Sequence, residues 1–166
     1  MSRHPHLVIF GYGNPSCGDD ALGSLLLTRV ESLAAEKGLD AAVVEDFQLQ
    51  IEHALDLEGR GLALFIDAAE SGPAPFAFRR LKPAEDASYT THSISPEAVL
   101  HAYQQVRGTS PPPAFVLAVK GASFELGQDL SEEGRKNLES AWSFLSNLLE
   151  DPLLSRWEGI AVLSPA

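Results

Sequence analysis

One cysteine, Cys17, stands among 166 residues, so the chain can form no internal disulfide and no Cys-rich zinc site. Basic residues are also scarce, with 12 Lys and Arg against 23 Asp and Glu and a net charge of −11. A surface of that sign repels nucleic-acid phosphates and anionic lipid, which argues against either as a partner. It would suit a basic protein partner, although acidity for solubility alone is the more ordinary reason. Long hydrophobic runs are missing. The first apolar stretch, Leu7 to Phe10, is far too short for a signal-peptide core or a membrane span, so cytoplasm is the expected compartment. Repeats and low-complexity tracts are absent too.

What remains is ordinary for a globular chain: 45% hydrophobic and 21% charged residues. The length suits a single domain over residues 1–166, with a monomer as the default. Strand-like runs fall at Leu7–Gly11, Ala41–Asp46, Leu62–Asp67, Phe76–Leu81 and Ala114–Lys120. The first, third and fifth are almost continuously apolar, the pattern of strands buried on both faces. Between them, Leu22, Leu25, Leu26, Val30 and Leu33 line one face of a helix from about Asp20 to Lys37. A short helix is expected around Ile51 to Leu57, before Gly59. Ser95-Pro96-Glu97 reads as an N-cap, an N1 proline and an acidic first turn, opening a helix that runs to Arg107 and stops at Gly108. Ser131 with Glu132 and Glu133 opens another, with Leu138, Trp142, Leu145 and Leu149 as its buried stripe.

This alternation predicts an α/β fold of three layers, a twisted and mostly parallel sheet of about five strands with helices on both faces. Phe76–Leu81 has no helix before it and is expected to be an edge or antiparallel strand. The tail after Asp151, ending in Pro165, is expected to be irregular.

The stretch FGYGNPSCGDDALG, residues 10–23, joins the first strand to the first helix. It outlines a phosphate-cradling loop but fails in detail. The dinucleotide fingerprint needs a third glycine where Ser16 stands, Pro15 has no N–H to offer, and Asp19 and Asp20 occupy the helix start that a pyrophosphate would need. No G-K-[ST] follows, so a P-loop fails as well. Adjacent helical residues point about 100° apart, so Asp19 and Asp20 cannot both face one site. Asp19 is expected to cap the helix, leaving Asp20 to project over the carboxyl edge of the sheet, where open α/β folds bind ligands.

Asp67 ends a buried strand and needs a cation, a hydrogen-bonding partner or solvent there. Parallel strands would bring it near Asp20. His92 sits in a loop, Thr90-Thr91-His92-Ser93, that can reach the same edge. Each residue alone has a plain reading: two good helix-start acids, a strand end facing water, a solvated loop histidine. Together they form an O/O/N donor set suited to a divalent transition metal with open coordination positions. Ser16, Cys17 and Ser93 lie close by, yet no Ser–His–Asp or Cys–His arrangement can be assigned.

In their order and spacing these segments resemble the nickel–iron hydrogenase maturation proteases, the hydrogenase-specific C-terminal endopeptidases. The matching pieces are G-Y-G-N at Gly11–Asn14, Asp19-Asp20 with Gly23, Gln48-Leu49 with Glu52, and I-D-A-A at Ile66–Ala69. T-H-S at Thr91–Ser93 and G-A-S-F-E-L-G at Gly121–Gly127, followed by Leu130-Ser131, complete them. The resemblance implies a five-stranded sheet between helices. It implies one endoproteolytic cut that removes a C-terminal extension from the hydrogenase large-subunit precursor after nickel insertion. Asp20, Asp67 and His92 map onto the metal-binding and catalytic positions. Nickel would then arrive on the substrate's cysteines rather than reside in the free enzyme, and would polarise the scissile carbonyl or a water, or position the bond; one aspartate acting as general base is a further option. Two departures stand out. Ala21 occupies a position usually held by glycine, and Cys17 one that is often basic. A non-catalytic chaperone for nickel or the large subunit would use the same three residues, and a nucleotide-binding α/β protein is the third reading.

Overall fold

The structure, a computed structural model, describes residues 4–85 and 94–163. His92 and the rest of Thr91–Ser93 lie outside the described residues.

Five strands form where the apolar runs predict them: β1 (Leu7–Tyr12), β2 (Ala41–Asp46), β3 (Leu62–Ala69), β4 (Phe76–Leu81) and β5 (Ala114–Lys120). They make one sheet in the order β2-β1-β3-β5-β4. All neighbours are parallel except β4, which runs antiparallel to β5 at the sheet edge. The fold is therefore α/β with a mostly parallel five-stranded sheet, as expected. β1, β3 and β5 occupy the middle, and their side chains are buried on both faces because helices cover each one.

Helix α1 (Leu22–Lys37), α3 (Glu132–Leu148) and α4 (Leu154–Leu163) cover one face. Ile9, Leu64 and Leu117 meet Leu26, Val30, Leu138 and Leu145 there. A 3-10 helix (Ile51–Leu57) and α2 (Pro96–Arg107) cover the other, where Val8, Phe10, Phe65 and Val116 meet Leu57, Val99 and Leu100. The alternation of strand side chains sorts these two cores residue by residue. It also sends Tyr12, Asp67 and Arg79 toward the α2 face, in step with Phe10, Phe65 and Leu81.

The helix ends follow local chemistry. Ser95 accepts a hydrogen bond from the Ala98 N–H at 3.1 Å, Pro96 opens α2, and Gly108 closes it in the left-handed conformation. Ser131 caps α3 through the Gly134 N–H at 2.9 Å.

Three expectations need correction. The tail after Asp151 is not irregular: α4 forms there, and Trp157 is fully buried with its ring edge against Phe78 and Phe115. Leu154, Trp157, Ile160 and Ala161 supply the apolar stripe, and Arg156 binds the open carbonyls of Asn147 and Leu148 at the end of α3. In α1, Leu25 is exposed and Leu27 is buried in its place. On α3, Trp142 is only partly buried, with Ala141 and Leu148 inside instead.

Candidate functional site

The carboxyl edge of the sheet is built from the loop after β1, the ends of β3 and β5, and the start of α2. A 3-10 turn (Gly18–Ala21) precedes α1. Gly23, in the first turn of α1, lets the helix lie directly on the strand ends: a Cβ there would sit 2.5 Å from the Tyr12 carbonyl oxygen and 3.0 Å from that of Ile66. Gly13 has φ +137° and lies against Asp20, whose backbone oxygen would be 2.1 Å from a Cβ. These close approaches set the carboxylates of the 3-10 turn over β1 and β3.

The two adjacent aspartates divide as the turn geometry requires, but Asp19 does not take its expected role. Asp19 does not cap α1. It is fully buried, and its carboxylate accepts from the backbone N–H groups of Ala122 (2.7 Å), Ser123 (3.2 Å) and Ser131 (2.8 Å) and from the Ser131 hydroxyl (2.6 Å). Burial works to raise its pKa, yet these donors outweigh burial and hold the carboxyl below the usual range. Gly121 and Gly134 pack on it, since a Cβ on either would fall within 3 Å of Asp19. The loop after β5 is thereby laced to the loop after β1, with further bonds from Gly18 N–H to Gln128 and from Gly127 N–H to Ser16. Cys17 lies half-buried in this lacing, bridged to Gln128.

Asp20 turns the other way, accepting from the Asn14 N–H at 2.7 Å. Parallel pairing of β1 and β3, with Gly11 opposite Ile66, sets Asp67 one residue beyond that pair on the same edge. Asp67 feels Asp20 electrostatically. Burial first, and then the Asp20 charge, push its carboxyl up to about 7; the Ala68 N–H and Arg79 act against them, while Glu97 adds to them. Arg79 faces Glu97 at 3.5 Å, so its charge is shared.

Tyr12, Glu97 and Arg79 are site residues that the sequence reading passed over. Glu97 reads in sequence as a first-turn acid and Arg79 as an edge-strand residue; only the sheet alternation, carried across β1, β3 and β4, brings them together. The Tyr12 hydroxyl is buried with no hydrogen-bond partner among the described residues. Burial, Asp67 and Glu97 hold the phenol well above its ordinary pKa. His53 is buried, bridging Asp46 (3.3 Å) and the Gln50 N–H (2.8 Å).

Asp20 and Asp67 thus share one edge, and His92 lies outside the described residues. Among the described residues no three His, Cys, Asp or Glu side chains come close enough to hold a metal ion by themselves. The pair does fit a divalent cation as donors: two carboxylates crowd together, and the nearby arginine is shared with a third acid.

No family model matches this chain, and no curated protein matches its sequence. Solved structures do. A [NiFe] hydrogenase maturation protease HycI from Thermococcus kodakarensis is 22% identical, with a TM-score of 0.66 over 90% of this chain and 96% of that one. The hydrogenase maturating endopeptidase HybD from E. coli is 20% identical, with a TM-score of 0.64 over 87% and 93%. The [NiFe] hydrogenase maturation protease HybD from Thermococcus kodakarensis is 16% identical, with a TM-score of 0.60 over 87% and 99%. The chain has the fold of these hydrogenase maturation endopeptidases along nearly their whole length.

Proposed function

We propose that this chain is an endopeptidase that removes a C-terminal extension from the large-subunit precursor of a nickel–iron hydrogenase, after nickel has entered that subunit. One observation carries the reading: Asp20 and Asp67 meet at the carboxyl edge of a sheet whose fold is shared with solved hydrogenase maturation endopeptidases. In this reading Asp20, Asp67 and His92 engage nickel held by the precursor's own cysteines.

Asp67 suits the task of sensing metal. Buried and beside Asp20, it holds a proton up to near neutral pH, and a presented cation would favour its release. Arg79 is held by Glu97 and leaves the two acids short of positive charge, which favours a metal-loaded substrate over an empty one. The metal supplies Lewis-acid polarisation of the scissile carbonyl or a water. The chain's own residues orient it against the bond and set the condition for cutting. The reaction is assigned to the cytoplasm and to a monomer; no helix among the described residues is long and apolar enough to cross a membrane.

Intact-mass spectrometry of a large-subunit precursor, incubated with the protein with and without nickel loaded, tests this. Release of a C-terminal fragment only from the nickel-loaded precursor is the expected result. An unchanged mass with a stable complex would make the protein a maturation chaperone instead.

A further inference from the structure

Large apolar side chains are exposed at several points among the described residues, and three of them form one band. Ile51 (60% exposed) and Leu55 (61%) stand on the outer side of the 3-10 helix, and Val106 (66%) faces them from the last turn of α2. Ile51, Leu55 and Val106 wall a groove of about 220 Å3 whose floor is Ala54 and Tyr103. Polar contacts tie the two helices together beside the groove. Glu58 accepts from the Tyr103 hydroxyl at 3.2 Å and pairs with Arg107 at 3.0 Å. Just before the 3-10 helix Asp46 accepts from the Phe47 N–H at 2.7 Å and faces His53, which accepts from the Gln50 N–H. Ile51, Leu55 and Val106 are exposed, and a clustered apolar strip of this kind marks an interaction site.

The charge around the band selects its occupant. Asp46, Glu52, Asp56 and Glu58 lie along the same segment, and Glu52 lines the groove itself. Among the described residues the arginines near it are Arg107, paired with Glu58, and Arg60, which donates to the backbone oxygens of Asp56 and Pro5, while His4 and His53 lie at the Glu58 carbonyl oxygen and at Asp46. A second copy of this chain would bring acid rim against acid rim and gain little. A segment with apolar side chains flanked by Lys or Arg fits both the strip and its border. The band also leads to the site: the Gly13 N–H, in the loop that carries Asp20, bonds the Asp46 carbonyl oxygen at 3.2 Å.

The geometry points to a docking surface: the band formed by Ile51, Leu55 and Val106 binds a basic, apolar-faced segment of the precursor protein, away from the peptide bond that is cut. The inference rests on the endopeptidase reading above. Binding at such a remote strip holds substrate and transition state equally, so it acts on KM and leaves kcat alone.

The test compares wild type with the double variant Ile51→Ser/Leu55→Ser on a nickel-loaded large-subunit precursor. Both positions are exposed, and an unchanged circular dichroism spectrum and melting temperature verify the fold. The expected result is a KM raised about tenfold or more with kcat unchanged, and a complex weakened equally in a direct binding titration. Unchanged KM and binding would overturn the inference. So would a wild-type dimer, seen by light scattering, that the double variant dissolves, because the band would then hold a second copy. Cleavage and docking fail separately. A wild type that binds the precursor without cutting it, while the double variant does not bind, keeps the docking surface and removes the endopeptidase; a wild type that neither binds nor cuts removes both.

Discussion

Asp19 and Ser131 meet across 112 residues of chain, and Ser131 gives Asp19 both its backbone N–H, at 2.8 Å, and its hydroxyl, at 2.6 Å. The same hydroxyl oxygen accepts the Gly134 N–H that caps α3. One buried carboxylate therefore fixes the loop after β1, the loop after β5 and the start of a helix. Its sequence neighbour Asp20 stays out of this lacing and points to Asn14.

Neighbouring substitutions should separate these two roles. Asp19→Ala leaves the Ala122, Ser123 and Ser131 N–H groups without their acceptor, and should lower unfolding free energy by about 3 kcal/mol. Asp20→Asn keeps an acceptor for Asn14, should change stability by under about 1 kcal/mol, and should abolish precursor processing. Urea unfolding and an intact-mass cleavage assay on both variants check the contrast. A stable Asp19→Ala protein would remove the lacing role.

Gly134 sits inside the first turn of α3, where alanine ordinarily favours a helix. Here a Cβ would fall 2.3 Å from the nearer Asp19 carboxylate oxygen. Gly134→Ala should therefore destabilise by about 1–3 kcal/mol, opposite to the propensity scale, because the carboxylate must give up its bonds to make room. Thermal unfolding measures it.

Asp67 makes stability depend on pH in a stated direction. Its folded carboxyl titrates at about 7 against an ordinary value of 3.8, so between those values the folded chain keeps a proton that the unfolded chain releases. Stability is lost as pH rises through that window, by at most about 4 kcal/mol. Asp67→Asn should flatten that slope and raise the melting temperature at pH 8, while ending nickel-dependent processing. Melting curves of both proteins at pH 5, 6, 7 and 8 read it out; parallel slopes would contradict the assignment.

Trp157 closes the core beneath α4, stacking edge-on against Phe78 and Phe115 and donating its indole N–H to the Leu148 carbonyl at 3.2 Å. Trp157→Ala should cost about 3–5 kcal/mol. Guanidinium unfolding measures the loss, and a drop below about 1 kcal/mol would mean that α4 is dispensable.

Strand positions, the α2 boundaries at Ser95 and Gly108 and the antiparallel edge strand were all legible in the chain, because apolar alternation, capping residues and turn glycines act over a few neighbours. So was the separation of Asp19 from Asp20, which follows from the pitch of one turn. Their partners were not legible. Asp19 looked like a local helix cap because a cap and a long-range hydrogen-bond acceptor use the same residue type, and only the crossing of the β5 loop over the β1 loop brings Ser131 within 3 Å. Helix α4 was lost for a similar reason: its stripe of Leu154, Trp157 and Ile160 is short and interrupted by Gly159, and becomes a helix by burying Trp157 against β4 and β5. The sequence by itself determined which segments become strands and helices and which acids end them. Tertiary structure decided which of those acids are neutralised by donors and which, like Asp67 beside Asp20, are left in want of a cation, since that depends on burial and on charges brought close from distant segments.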